Sequence, residues 1–173
     1  MISWITRQPW SNGRVGMYGK SWGGFNGLQM AAEQPAGLKT AISLYSTEDR
    51  YTDDVHYMGG TVVGTGMVSW ANQMFVWNSR PPPPQYFDHL KDWKEAWRQR
   101  LEKAGESWLP LWLKHQVRTD PYWAHGSAGE DISRIKIPIL VVGGLADGYT
   151  NAPIRMADSL NKESRMLVGP WGH

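Results

Sequence analysis

Short apolar runs and helix-length apolar stripes alternate along this chain, and that alternation carries the first reading of its fold. Gly13 to Tyr18, Leu38 to Leu44, Ile137 to Gly144 and Arg165 to Gly169 are strand-length runs ended by turn chemistry. The first, entered from a Gly-containing turn, reads as a buried parallel strand. Between the first two, Gly23 to Glu33 sets Phe25, Leu28, Met30, Ala31 and Ala32 in a stripe that fits a helix, closed by Pro35 and Gly37. Residues 149 to 161 can form another helix before the last run. Strand and helix in alternation predict an α/β fold with a parallel sheet.

A different texture fills the middle of the chain. Seven of its eleven tryptophans (Trp70, Trp77, Trp93, Trp97, Trp108, Trp112 and Trp123) fall between residues 70 and 123. Tyr86 to Lys103 places Leu90, Trp93, Trp97 and Leu101 at helical spacing, with Lys91, Lys94, Glu95, Arg98 and Glu102 on the other side, so an amphipathic helix is predicted. The run Pro81 to Pro84 forms a stiff approach to it, because prolines cannot sit inside a helix or a central strand. Further helical pieces are predicted around Met67 to Trp77 and Leu109 to Val117. The expected division is 1–47 for the first part of the core, 48–133 for a helical, Trp-rich insertion, and 134–173 for the rest of the core.

Composition narrows the function classes. With 173 residues, 41% of them hydrophobic, the chain can bury one sizeable core. No apolar stretch approaches the roughly 20 residues that a membrane-spanning helix needs, and the amino terminus lacks a secretory pattern, so no membrane partner is expected and a cytoplasmic location is the default. Cysteine is absent, which excludes disulfides, thiolate metal sites and a cysteine nucleophile. The 18 basic and 16 acidic residues are spread along the chain, so no nucleic-acid partner is expected. No H-E-x-x-H or equivalent spacing exists, and neither a metal nor another cofactor is expected.

The chemistry begins at Gly19-Lys20-Ser21-Trp22-Gly23, which fits G-x-S-x-G between a predicted strand and a predicted helix. That arrangement is the nucleophile elbow of α/β-hydrolases, a strained turn that presents a serine with a base on one side and backbone N–H donors on the other. Glycines at 19, 23 and 24 suit a tight strand-to-helix junction. An activated serine needs a base, and the base an orienting carboxylate, in the chain order Ser, Asp or Glu, His. Of the five histidines, only His173 lies beyond the last strand with a suitable acid, Asp147, before it on the loop leaving a strand's carboxyl end. Asp147 alone also fits a turn aspartate, and His173 a frayed end. His56, His89, His115 and His125 read as surface or satisfied polar residues of the insertion.

These residues resemble the CocE/NonD hydrolases, a family that includes cocaine-esterase-like enzymes, Xaa-Pro dipeptidyl-peptidases of the S15 type and α-amino-acid ester hydrolases. The likeness rests on Gly16-Met17-Tyr18-Gly19-Lys20-Ser21-Trp22-Gly23-Gly24, on Gly144 to Gly148, and on Val168-Gly169-Pro170-Trp171-Gly172-His173, with Leu38 to Ala41 and Asp53 to Tyr57 in support. The resemblance implies an α/β-hydrolase fold, here the carboxyl-terminal half of the catalytic domain with an inserted helical cap. It implies a serine hydrolase in which Ser21 attacks an acyl carbonyl, His173 relays the proton and Asp147 orients the imidazole. Trp22 would give one oxyanion-hole donor through its backbone N–H, and a tyrosine hydroxyl upstream of this chain the second.

Strands that precede the elbow in the family, and a β-sandwich domain that follows the histidine, would lie outside these residues. An exposed sheet edge, marginal stability or homo-oligomerisation, and weak activity of the chain alone are therefore expected. The expected partner is a small-molecule ester, amide or short peptide, touched by Trp22, Asp54, Trp70, Tyr149 and Trp171. The aromatic residues suggest an apolar or aromatic acyl pocket, with packing among the cap helices as the alternative. Asp53 and Asp54 sit where the amino-acid ester hydrolases hold an acidic residue for a substrate amino group. Gly148-Tyr149-Thr150 does not reproduce those enzymes' second pair of carboxylates, so Asp53 and Asp54 are expected to be solvated at a cap hinge. Acyl transfer, amino-acid ester hydrolysis, and an inactive fragment serving as an interaction module are the alternatives.

Overall fold

The computed structural model describes all residues from Met1 to His173. In chain order the elements are α1 (Ile2–Ile5), β1 (Val15–Lys20), α2 (Trp22–Glu33), β2 (Leu38–Leu44), β3 (Tyr57–Met58), β4 (Thr61–Val62), α3 (Gly64–Ser79), α4 (Leu90–Lys103), α5 (Leu109–Lys114), α6 (Pro121–Gly126), β5 (Ile139–Gly144), α7 (Ala152–Ser159) and β6 (Arg165–Gly169). Short 3₁₀ turns occupy Pro84–Tyr86 and Ala128–Arg134. The sheet runs β1-β2-β5-β6 with every pair parallel. Helix α2 packs on β1 and β2, and α7 on β5 and β6. Parallel strands need such crossovers, and the whole of residues 45–138 forms one of them, between β2 and β5.

Register explains which strand residues are buried. Met17, Ala41 and Ile139 share one row, which points into a cluster with Leu28, Ala31, Ala32, Val141, Ala152 and Met156. The neighbouring row, Tyr18, Ile42 and Leu140, points to the other face, where Tyr18 is 81% exposed and Ile42 and Leu140 are half-buried. Strand β1 was predicted to be buried. It instead alternates half-buried and exposed positions, because it forms one edge of the sheet and only one of its faces lies under a helix.

The middle of the chain builds a second cluster from Tyr51, Tyr57, Met67, Ala71, Trp112 and Trp123, with Trp70 and Trp108 packed against it. Tyr51 and Tyr57 stack with ring centroids 4.4 Å apart, and Trp123 meets both rings edge-on. Helix α4 starts four residues later than predicted, after the 3₁₀ turn that Pro84 begins. Its two tryptophans face α3 and the proline run: Trp97 Nε1 donates to the Ser79 carbonyl at 2.9 Å and Trp93 Nε1 to the Pro82 carbonyl at 2.8 Å. Leu90 and Leu101, placed on the same stripe, are exposed, so the packed face is narrower than the sequence pattern. The sequence reading passed over the β3–β4 hairpin, whose Gly59 and Gly60 both take positive φ, as two-residue hairpin turns require.

Gly19 closes the β1–α2 junction, and a Cβ there would run into the Gly23 backbone. Gly19→Ala is predicted to lower unfolding stability by about 1–3 kcal/mol through overpacking. Urea denaturation of the two chains measures this, and an unchanged midpoint would show that the junction opens freely.

Candidate active site

Three strand ends converge on one cavity of about 390 Å³, lined among others by Ser21, Trp22, Phe25, Arg50, Trp70 and His173. Ser21 follows β1 directly and precedes the first residue of α2, with φ 55° and ψ −121°. A non-glycine residue at positive φ is strained, and it persists only where its surroundings hold it. Here the Ser21 N–H donates to the Leu44 carbonyl at 2.8 Å, and the Ser21 carbonyl accepts from Phe25 N at 3.0 Å. Gly24 lets Ser46 approach, since a Cβ would lie 2.7 Å from Ser46 Oγ. Trp22 opens the helix, so its N–H is among those with no intrahelical acceptor, at the positive end of the helix dipole.

Asp147 lies three residues beyond β5 and His173 four beyond β6. Their loops are stitched together: Leu145 N donates to the Gly169 carbonyl at 2.8 Å, and Ala146 N to the Trp171 carbonyl at 3.0 Å. His173 Nδ1 stands 2.9 Å from Asp147 Oδ1. With the carboxylate as acceptor, Nδ1 carries the hydrogen, and Nε2 makes no hydrogen bond within the chain. The Asp147 side chain is buried, and its Oδ2 has no hydrogen-bond partner. Tyr45 and Tyr149 flank the imidazole, with centroids at 6.1 and 5.7 Å. The Ser21 hydroxyl makes no hydrogen bond within the chain, so Ser21 shares the cavity with the His173–Asp147 pair without being bonded to it.

Of the substrate contacts suggested by the sequence, Trp22, Asp54, Trp70 and Tyr149 line the cavity. Trp171 does not: its ring covers Gly169 and its carbonyl is used by Ala146, which holds the loop before His173 in place. Trp22 contacts Trp70 and Trp108 edge-on, with centroids at 6.5 and 5.6 Å, so Trp22 and Trp70 both pack with their neighbours and wall the cavity.

The expectation that Asp53 and Asp54 are solvated is overturned, because both are buried. Asp53 Oδ2 accepts from Arg155 Nη1 at 2.9 Å, and the same guanidinium holds Glu48 through Nε at 2.8 Å. Asp54 accepts from Tyr149 OH and Val55 N at 2.7 Å each and lies 3.1 Å from His56 Nδ1 and 2.5 Å from Arg50 Nε. Burial acts to raise the Asp54 carboxyl, but the Arg50 charge and the bonds from His56 and Tyr149 outweigh it and hold it below the usual carboxylate range. Burial, then the negative charge of Asp54, pushes the Tyr149 phenol upward, so it stays a donor. His56 is likewise buried rather than at the surface. Its ring lies against Trp112 and Trp123, and its Nε2 has no partner.

Arg50 and Arg155 were not singled out from the sequence, and Phe25 stood out only as part of the apolar stripe of α2. The four-residue spacing of Arg50 and Asp54 is a weak signal that becomes meaningful only once both are buried. The structure holds no cluster of three or more His, Asp or Glu side chains suited to a metal. No helix is long and apolar enough to cross a membrane.

A parallel sheet with a serine elbow, and with an Asp–His pair on loops after two further strands, has the architecture of the α/β-hydrolases. The chain matches the family described as X-Pro dipeptidyl-peptidase (S15 family) over residues 1–173, and it belongs to that family. It is 26% identical over 195 aligned positions to the cocaine esterase of Rhodococcus sp. (strain MB1 Bresler), a match covering 99% of this chain and 33% of that protein. Among solved structures, a CocE/NonD family hydrolase from Staphylococcus aureus superposes with a TM-score of 0.66 at 20% identity, over 97% of this chain and 26% of its own. An aminopeptidase from a marine sediment Thaumarchaeota archaeon gives 0.64 at 21%, over 99% and 31%. An α-amino acid ester hydrolase gives 0.60 at 22%, over 99% and 30%. The chain thus spans about a third or less of the length of these relatives.

The Asp54 environment predicts an acid-linked stability. A carboxyl lowered on folding contributes fully above its unfolded value, here 3.8, and that contribution is lost as the pH falls through the lower folded value. Unfolding followed by circular dichroism should show the native chain losing more stability below about pH 4 than Asp54→Asn does. Parallel acid profiles of the two would contradict the burial and pairing of Asp54.

Proposed function

We propose that the chain carries the catalytic centre of a serine hydrolase that cleaves carboxylic ester or amide bonds, Xaa-Pro peptide bonds among the candidates, through an acyl-enzyme at Ser21. The observation that supports it best is the hydrogen-bonded His173–Asp147 pair facing the same cavity as a serine held at positive φ. In this reading Ser21 Oγ attacks the acyl carbonyl while His173 Nε2 takes its proton. Asp147 holds the imidazole in the tautomer that leaves Nε2 free and stabilises the imidazolium. The Trp22 N–H, at the start of α2, faces the developing oxyanion. His173 then returns the proton to the leaving alcohol or amine, and a water molecule enters by the same route to release the acid. The bound acyl group would lie against Phe25, Val55, Met58, Val63 and Trp70, with residues 48–133 acting as a cap above Ser21.

An acyl group without an amino substituent is favoured over an amino-acid ester because Asp54, one of two acids lining the cavity, is already occupied by Arg50, His56 and Tyr149. A fluorophosphonate probe should label Ser21 in the native chain and nowhere in Ser21→Ala. His173→Ala should slow that labelling by about 10²–10⁴-fold, the usual contribution of a positioned general base. Equal labelling in the His173 variant, or labelling of another residue, would contradict the proposal.

A further inference from the structure

The cavity beside Ser21 contains a cation that acyl transfer does not use. Arg50 lines the cavity with a side chain only 17% exposed, and its guanidinium lies over the Phe25 ring, 4.4 Å from the centroid. Nε is buried and pairs with Asp54 as an ion pair, out of line for a hydrogen bond. The two terminal nitrogens make no hydrogen bond within the chain and, unlike Nε, are not closed off.

Asp54 is in the opposite condition. Its two oxygens take hydrogen bonds from Val55 N, Tyr149 OH and His56 Nδ1, three of the roughly four lone-pair sites of a carboxylate, and Arg50 Nε stands against them as the ion-pair partner. Asp147, the other acid on the cavity wall, is buried and bonded to His173. The acidic groups are therefore closed to a ligand, and the basic one still offers donors.

We infer that Arg50 is a specificity-determining residue that receives a carboxylate on the acyl portion of the substrate, and that the same cation turns away acyl groups bearing an ammonium. A planar guanidinium with two adjacent free nitrogens matches a carboxylate in bidentate fashion, and the Phe25 face fixes its plane. Apolar walls from Val55, Met58 and Trp70 keep water from screening the pair. The substrate class is then a monoester or monoamide of a dicarboxylic acid, which removes Xaa-Pro acyl groups, with their amino-terminal ammonium, from the candidates. This inference rests on the proposed use of the cavity as the acyl site.

Binding to Ser21→Ala, which cannot turn over, tests it by calorimetry near neutral pH. The probes are three ligands of similar size: monoethyl succinate, ethyl butyrate and ethyl β-alaninate. Monoethyl succinate should bind at least about tenfold tighter than ethyl butyrate, and ethyl β-alaninate the weakest. Adding Arg50→Met together with Asp54→Asn removes both charges at once, and the succinate-to-butyrate ratio should fall to about one; Arg50→Lys should leave it intermediate. If the double variant does not fold, the order in the parent chain and the Lys variant still decide. Equal binding of the three, or preference for the β-alaninate, overturns the inference. Failure of the phosphonate probe with this order intact would overturn the hydrolase reading and leave the anion subsite standing. Labelling without the order would overturn the subsite alone.

Discussion

Ser21 sits in a backbone state that an L-residue leaves unless it is held, and the core is arranged around holding it. Strain of this kind costs about 1–3 kcal/mol, which a chain of ordinary stability tolerates only when the neighbouring structure over-determines the turn. The Leu44 carbonyl fixes the Ser21 N–H from the next strand, the first turn of α2 fixes its carbonyl, and glycines at 19 and 24 remove the side chains that would force the turn apart. Leu28, Ala31 and Ala32 then press α2 onto Leu38 and Ala41, so burial of one helix face resists relaxation of the elbow. Ser21 and Trp22 thereby reach the cavity at one end of the sheet, which the loops after β5 and β6 also line with Asp147 and His173.

A second constraint ties the Trp-rich middle of the chain to that end of the sheet. Arg155 on α7 grips Glu48 and Asp53, and Tyr149, two residues after Asp147, grips Asp54. Glu48 and Asp53 are buried while Arg155 is 40% exposed, so removing the guanidinium would leave two buried carboxylates without their cation. The segment from Glu48 to Asp54 is therefore fastened to the loop that carries Asp147, and the cavity wall contributed by Asp54, Val55 and Met58 is positioned by charge as much as by packing. Arg50 belongs to this network through Asp54 and to the cavity through its free nitrogens, the placement on which its proposed part in ligand selection rests.

Much of the sheet was legible because its strands are short apolar runs with turn residues at both ends; Leu38–Leu44 and Arg165–Gly169 match the observed strands at both bounds. The exposure of β1 was not, since a strand's position at an edge depends on what pairs with it and leaves no mark in a six-residue run. Ser21, Asp147 and His173 stood out because their order and their places after strands are one-dimensional properties. The buried acids did not. Asp53 and Asp54 look like hinge residues in sequence, and only the approach of Arg155 and Tyr149, about a hundred positions away, shows that they are paired. Trp171 misled for a related reason, because an aromatic beside a motif histidine gives no sign of which way its ring turns, and here it packs on Gly169.

In the proposed mechanism the strained serine and the His–Asp pair act on one acyl group in this cavity. Mixing the chain with p-nitrophenyl acetate, quenching in acid and reading peptide masses tests it directly, because an acyl-enzyme leaves its group on the attacking atom. A single acetyl group is expected on the peptide containing Ser21, absent from Ser21→Ala. Acetylation confined to another residue, or ester cleavage that is equal in Ser21→Ala, would contradict it.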